Sequence, residues 1–342
     1  MKTYVLGAGA SKHAGYPLAN CFDKDLAVWV LGKEAPSPND LSLVDFLTEI
    51  TGSLNFEDAL EAVTTLVNTP RENLSEEDRL LRAYFGQHLA HLKQVIRAWF
   101  LELQPKRSDV YDAFAQRVMC AGDTVISFNY DLALEMALRS SRKWEIKDGY
   151  GFPIDGFGGI SPTKILKLHG SINWFAVPFG GMKGFFQFNG DSSLGNRPVI
   201  MDYDARLLGY ETERDVLWPS NGAAVVSPMI LPARTKEFFF RTSHNPNEWV
   251  GFWNALWADA GTSLGMSDEV CICGYSLPLA DERARNLIFS STSKSARVEV
   301  SCGGDTNRIA DEFRAAGFNN VVGADDVYFE SWVRSKSATE VV

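Results

Sequence analysis

Short, largely apolar runs of strand length recur along the chain, separated by stretches with helical spacing of apolar residues. The runs cover residues 4–6, 124–128, 164–168, 269–273 and 297–301. Each is followed within two residues by a glycine or a polar side chain, as expected where buried parallel strands end in turns. The pattern predicts an α/β fold with a mostly parallel, Rossmann-like sheet.

A long stretch of helical pattern separates the first two strands. Between residues 18 and 120 apolar residues recur at three- and four-residue spacing, most clearly over residues 81–103. Asn55 and Ser75 each precede an acidic residue three positions later, which predicts the starts of helices. We therefore expect a large helical insertion between the first and second strands.

The domain organisation follows from these patterns. Residues 1–20 and 119–342 are predicted to form the Rossmann-like domain, and residues 21–118 the helical insertion. Aromatic residues alternate with glycines and prolines over residues 172–235, which predicts a smaller loop- and strand-rich lid or subdomain within the core. The polar end of the chain, from about residue 335, is expected to be frayed.

Composition narrows the classes of function. The formal net charge of −10 leaves no basic excess to neutralise nucleic-acid phosphates, so direct nucleic-acid binding is not expected. No apolar run has membrane-spanning length, and the chain opens on a predicted strand, so we expect a cytoplasmic protein. The cysteines are scattered and odd in number, which predicts neither a disulfide framework nor a zinc site; they are Cys21, Cys120, Cys271, Cys273 and Cys302.

The turn after the first strand is the first candidate for ligand binding. It reads Gly7-Ala8-Gly9-Ala10-Ser11. Glycines allow a sharp turn and the approach of a pyrophosphate to backbone N–H groups, and a serine hydroxyl can bind phosphate or cap a helix. The third glycine of the dinucleotide fingerprint is absent. A tight strand-to-helix turn without a ligand explains the same residues equally well.

Polar residues follow the next two strands. Asn129 and Asp131 come after the second strand, and His169 follows the third. Asn129 and Asp131 have two explanations, since such residues cap helices and also line the ligand crevice at the carboxyl ends of parallel strands. A lone histidine is usually structural. Two neighbouring strand ends carrying Asn129 and His169 favour a shared crevice.

The last two strands also end in glycine-containing turns. Gly274 and Ser276 follow one strand, and Gly303 and Gly304 follow the other. The ordered set of strand ends resembles the sirtuin superfamily, most closely its prokaryotic branch found in anti-phage defence. The resemblance covers the core strands at both ends of the chain and is weak in the insertions.

This resemblance implies an enzyme that uses NAD as its substrate, without a metal. In that family pattern residues 7–11 hold the pyrophosphate, while Asn129, Asp131 and His169 surround the nicotinamide ribose. It further implies that the turn containing Gly274 and Ser276 contacts phosphate and that Gly303 and Gly304 lie on the adenosine side. The implied activity is hydrolysis of NAD to ADP-ribose and nicotinamide in abortive infection, under the control of an activating partner subunit or of homo-oligomer assembly.

Two departures bear on the type of sirtuin that the chain resembles. The four-cysteine zinc ribbon of sirtuin deacylases is absent, and Leu18-Ala19-Asn20 stands after Pro17 where those enzymes carry Asp-Phe-Arg. Both departures favour the NAD hydrolase over a deacylase. Two alternatives stay open: a non-catalytic sensor of NAD or ADP-ribose, and a zinc-free NAD-dependent deacylase or ADP-ribosyltransferase.

Overall fold

The fold is described from a computed structural model. The residues described are 1–52, 54–104, 108–145, 148–152, 161, 163–175, 199–200, 229–233, 235–236, 239, 250–323 and 327–339. Most of the lid or subdomain predicted over residues 172–235 therefore lies outside the described residues.

A six-stranded parallel sheet organises the described part of the chain. Its strands are β1 (Lys2–Leu6), β2 (Thr124–Ser127), β3 (Lys164–Lys167), β6 (Glu269–Cys273), β7 (Arg297–Ser301) and β8 (Val321–Gly323). The spatial order is β3-β2-β1-β6-β7-β8, and every neighbouring pair is parallel. The chain thus adds strands on one side of β1, then returns and adds them on the other. This is the doubly wound Rossmann-type arrangement, and it confirms the predicted fold class.

Helices and one small ribbon complete the described elements. A two-stranded antiparallel ribbon pairs β4 (Trp174–Phe175) with β5 (Val199–Ile200). The α-helices are α1 (Ala8–Ser11), α2 (Phe22–Leu31), α3 (Pro38–Thr51), α4 (Phe56–Asn68), α5 (Glu76–Leu103), α6 (Asp109–Ala113), α7 (Ala133–Ser140), α8 (Val250–Gly265), α9 (Glu282–Ser291), α10 (Thr306–Ala315) and α11 (Phe329–Thr339). In the described part of the chain, no helix is both long enough and apolar enough to cross a membrane.

The chain divides into two compact units. The first contains Met1–Tyr16, Leu103–Ser171 and Gly251–Val342, and it holds the six-stranded sheet. The second contains Pro17–Glu102 and Ile172–Val250, and it holds helices α2 to α5. Each unit is therefore built from separate segments of the sequence.

The helix starts predicted in the second unit are confirmed. The Asp58 backbone N–H donates to Asn55 Oδ1 at 2.9 Å, and the Asp78 N–H donates to Ser75 Oγ at 3.1 Å. These contacts satisfy N–H groups that have no partner within the helix. The helix that begins after Ser75 is α5, whose extent agrees with the apolar stripe seen in the sequence.

The expectation of a frayed end from residue 335 is wrong up to residue 339. Helix α11 continues through Thr339. Phe329, Trp332 and Val333 are buried, and the Trp332 ring lies 6.3 Å from that of Tyr4 in β1. The apolar residues on one side of the helix pack on the core, and Ser337 is buried with them, so the segment is held in place although most of its residues after 335 are polar.

The turns after β1 and β6 pack backbone against backbone. The Gly9 N–H donates to the Gly274 carbonyl at 2.9 Å, and the Gly7 N–H donates to the Cys273 carbonyl at 3.2 Å. Gly274 has φ +62°, and a Cβ built on it would lie 2.1 Å from the Ala10 nitrogen. Only glycine lets the two backbones approach this closely, so both turns require glycine at the point of contact.

This contact predicts a stability difference between two glycine substitutions. Gly274→Ala should lower the melting temperature markedly, because the methyl group meets backbone atoms that cannot move aside. Gly317→Ala is the matched control, since Gly317 also has positive φ (+87°) but a Cβ there would meet nothing within 4 Å. Its cost should be about 1–2 kcal/mol from the left-handed conformation alone. Equal melting temperatures for the two variants would contradict the contact.

Candidate functional site

The residues singled out in the sequence lie after five strands of the parallel sheet. They follow the carboxyl ends of β1, β2, β3, β6 and β7. In this strand order the direction of winding reverses between β1 and β6, and ligands of doubly wound sheets bind outside that point. All of these residues belong to the first compact unit.

Asn129 joins the end of β2 to the turn after β1. Its Nδ2 donates to the Gly7 carbonyl at 2.9 Å and to Ser11 Oγ at 3.0 Å. The Ser11 hydroxyl also lies 2.8 Å from the Tyr111 hydroxyl of α6, and burial raises the pKa of Tyr111 well above its usual value. The Asn129 carboxamide is therefore held in one orientation by the turn predicted to bind pyrophosphate.

The glycine turn itself is occupied by protein contacts. Gly7 and Gly9 donate their N–H groups to carbonyls at the end of β6, and Ala10 donates to the Gly7 carbonyl at 2.9 Å. A Cβ on Gly7 would lie 2.7 Å from Cδ2 of Tyr275. Glycine is thus required at positions 7 and 9 because the turns after β1 and β6 pack closely against each other. Ala8 and Gly9 remain half-buried.

Asp131 makes a contact of the kind that starts a helix. Its Oδ1 accepts a hydrogen bond from the Ala133 N–H at 3.0 Å, at the beginning of α7. The Asp131 carbonyl accepts from the Lys167 ammonium group. The N-cap position of α7 is Leu132, so this contact gives Asp131 a local structural role just before the helix and not the capping role itself.

A buried ion pair lies beside Asp131. Lys167 Nζ is 2.8 Å from Glu135 Oε1, and the two side chains are 1% and 6% exposed. Burial raises the pKa of Glu135, although the neighbouring ammonium group opposes the shift. Lys167 is the last residue of β3, two positions before His169.

His169 lies in an aromatic and acidic environment. Its ring is 4.9 Å from that of Phe128 in an edge contact, and Phe128 stacks on Tyr275 at 4.2 Å. Its Nε2 lies 3.4 Å from Oδ2 of Asp281, and Tyr275 donates its hydroxyl to that oxygen at 2.7 Å. Phe128 contacts the His169 ring and immediately precedes Asn129, so the end of β2 connects the environment of the Asn129 amide with that of the His169 imidazole.

The remaining predicted residues lie along the same edge. Ser276 is exposed, and its carbonyl accepts from the Arg308 guanidinium group. Gly303 has φ +58°, and a Cβ there would lie 2.4 Å from the Tyr328 ring, so this glycine too is needed for packing. Gly304 is exposed and faces open space.

One cluster in the described residues has side chains of metal-binding type. The donor atoms of Glu269, Cys271 and Glu299 lie within 4.8 Å of one another. Glu269 is 3.1 Å from Lys2, and Glu299 is 2.8 Å from Lys336, so both carboxylates already have cationic partners. Burial raises the pKa of the Cys271 thiol, which disfavours the thiolate that a metal requires. This donor set fits a structural ion-pair network better than a metal site.

Several neighbours of the site were not foreseen. Asp281 could have been noticed, because it follows the turn after β6 and precedes a helix. Tyr275 lies between the predicted residues Gly274 and Ser276 and could have been noticed in the same way. Tyr111, Glu135 and Lys167 gave no signal in the sequence, since their contacts join distant segments.

Comparisons with solved structures give likenesses of fold, of which two are described here. No family model matches the chain, and no curated protein matches it. A structure described as the structural basis for sirtuin substrate affinity matches with a TM-score of 0.40 and 12% identity, covering 99% of this chain and 93% of that chain. Sir2 in complex with the inhibitor EX-527, 2'-O-acetyl-ADP-ribose and deacetylated p53 peptide matches with a TM-score of 0.38 and 12% identity, covering 99% and 94%. At this level neither match assigns a family or a function.

The buried ion pair predicts a large effect of one substitution. Lys167→Met leaves the Glu135 carboxylate buried without its cation and should destabilise the protein by about 3–5 kcal/mol. The matched control is Lys164→Met, whose partner Asp259 is at 2.8 Å in a pair that is 43% and 27% exposed. That change should cost less than about 1 kcal/mol. Denaturant unfolding measures both, and the addition of Glu135→Leu to Lys167→Met should recover part of the loss.

Proposed function

We propose that the protein is an NAD glycohydrolase, which cleaves NAD to ADP-ribose and nicotinamide. The observation that carries the proposal is the bonding of Asn129 to the glycine turn at the switch point of a Rossmann-type sheet. A dinucleotide is the ligand expected outside the carboxyl ends of such strands. His169, after the adjacent strand, adds a side chain able to accept a proton near neutral pH.

The proposed reaction breaks the bond between the ribose and the nicotinamide nitrogen. The bonding electrons stay with nicotinamide, which leaves as a neutral molecule, and positive charge develops on the sugar as in other glycosidic cleavages. Water adds to the anomeric carbon, and its proton passes to a base. The products are ADP-ribose, nicotinamide and one proton, so atoms and charge balance.

Two residues have proposed roles in this reaction. His169 acts as the general base that takes a proton from the attacking water or a ribose hydroxyl. Asn129 fixes the ribose and the water, because its Nδ2 contacts already hold the carboxamide in place. For Asp131 the contact with Ala133 favours a supporting role at the start of α7 over direct stabilisation of the sugar.

The nucleotide part of the substrate is proposed to lie along the other strand ends. We assign phosphate contacts to the half-buried Ala8 and the exposed Ser276, and the adenosine side to Gly304. The remaining predicted residues would then act by shaping the loops, since their own groups are used within the protein; they are Gly7, Gly9, Ala10, Ser11, Gly274 and Gly303.

Unregulated NAD hydrolysis would be toxic to the cell that makes the enzyme. We therefore propose that basal activity is low in the cytoplasm and rises in abortive infection, through an activating partner subunit or assembly of several copies. No metal is proposed to take part. A sensor that binds NAD or ADP-ribose without reaction is the second candidate, and the contact of Asp131 Oδ1 with the Ala133 N–H favours it, because a carboxylate held at the start of α7 is less available for chemistry.

The decisive experiment follows NAD and its products by chromatography and mass analysis. Purified protein is incubated with NAD alone, and then together with the products of neighbouring genes. Release of nicotinamide and ADP-ribose supports the hydrolase. Binding by calorimetry without nicotinamide release would instead identify a sensor, and modification of an acyl-lysine peptide or a protein would identify a deacylase or ADP-ribosyltransferase.

Substitutions at the two proposed catalytic residues should abolish most turnover. Asn129→Ala and His169→Ala should each lower kcat by about 100-fold or more under activating conditions. His91→Ala is the control: His91 lies in α5 and contacts Asp40 at 3.0 Å. Turnover of this variant should stay near that of the native chain. Melting curves separate lost chemistry from lost folding, and undiminished turnover in the first two variants would remove both residues from the mechanism.

A further inference from the structure

Asp281 stands in a position where aspartate usually caps a helix, but its side chain does not do so. It immediately precedes α9 and makes no side-chain capping hydrogen bond. Its side chain is 5% exposed, and the carboxylate accepts a hydrogen bond from the Tyr275 hydroxyl at 2.7 Å. The same oxygen, Oδ2, lies 3.4 Å from Nε2 of His169. The carboxylate is thus directed toward the imidazole.

Among the described residues, aromatic rings pack around His169. Phe128 at the end of β2 and Trp257 of α8 contribute aromatic rings at 4.9 Å and 6.4 Å. The Arg283 guanidinium group lies over the Trp257 ring at 4.7 Å. Lys167 directs its ammonium group to Glu135 and to the Asp131 carbonyl. Among the described residues, Asp281 is the acidic residue that lies at ion-pair distance from the His169 ring.

We propose that Asp281 is the positioning residue of His169 and the counter-ion of the imidazolium that forms during the reaction. This inference rests on the proposed function. When His169 takes the proton of the attacking water, a positive charge appears in a buried aromatic environment. A carboxylate at ion-pair distance stabilises that charge and raises the proton affinity of the base. Tyr275 holds the carboxylate in place, and the Phe128 ring packs against the rings of both Tyr275 and His169.

Asp281→Asn tests the proposal, because it removes the charge and keeps an oxygen for the Tyr275 hydroxyl. The pKa of the His169 imidazole should fall by about one unit, measured by NMR with the resonance assigned from His169→Gln. In the active protein kcat should fall about 10- to 100-fold with little change in KM. The acidic limb of the pH–rate profile should move to lower pH, because the base stays neutral to lower pH.

Three further variants separate charge from structure. Asp281→Glu keeps the charge and should keep the pKa of His169 close to its native value. Tyr275→Phe removes the hydroxyl that orients the carboxylate but keeps the charge of Asp281, so the pKa of His169 should fall less than in Asp281→Asn. Asp268→Asn makes the same chemical change at an exposed carboxylate and should leave turnover unaltered. Asp281→Ser serves as a second uncharged variant in case the amide variant does not fold.

The two proposals fail in different ways. An unchanged pKa of His169 in folded Asp281→Asn or Asp281→Ser would overturn the role of Asp281, whatever the activity. A native pH–rate profile with native kcat in Asp281→Asn would overturn it as well. Absence of NAD cleavage by the native protein, with and without its genomic neighbours, would overturn the proposed function, and the NMR titration would still decide whether Asp281 and His169 are coupled.

Discussion

The close approach of two backbone turns is the contact on which the candidate site depends. Gly9 and Gly274 meet through a hydrogen bond at 2.9 Å, between strands that lie side by side at the centre of the sheet. This contact requires glycine at positions that would otherwise carry a Cβ into the opposite backbone. It fixes the end of β1, and the Gly7 carbonyl there orients Asn129. The orientation of the Asn129 carboxamide therefore depends on the packing of the turns after β1 and β6 more than on β2, the strand that it follows.

The surroundings of the site combine a rigid polar network with a buried carboxylate that faces an imidazole. On one side the amide of Asn129 and the hydroxyls of Ser11 and Tyr111 are bonded to one another. On the other, the carboxylate of Asp281 faces His169. Buried polar groups that satisfy each other define one conformation, because any rearrangement would leave a donor or acceptor unpaired. Such rigidity suits a site in which a small number of side chains must be aligned.

The sequence predicted the framework of the fold well, for physical reasons. Runs such as residues 270–273 are buried in the middle of the sheet, so their apolar character is continuous and easy to recognise. The caps at Asn55 and Ser75 depend on residues only three positions away. Local causes of this kind are visible in a single sequence. The prediction of a frayed chain end was wrong because the polar residues there give no indication that they belong to a helix held on the core by the buried Trp332.

The site was predictable only in part, because its contacts are long-range. Topology brings strand ends to one edge, so Asn129 and His169 could be placed there from the pattern alone. The bond from Asn129 to Ser11 joins residues 118 positions apart, and periodicity cannot reveal such a contact. The same holds for Lys167 with Glu135 and for His169 with Asp281. The tertiary fold likewise decides whether a glycine is needed for ligand binding or for the close packing of a neighbouring loop.

The order of strands also affects how the polypeptide is made. β1 is synthesised first, yet one of its two neighbours in the sheet is β6, with Lys2 paired to Glu269. On the ribosome the central strand must wait for most of the chain to emerge before its second edge is covered. Pairing over such a separation is slow, and an uncovered apolar strand invites association with other chains. Efficient production of this protein would therefore favour chaperones that cover β1 until β6 has been made.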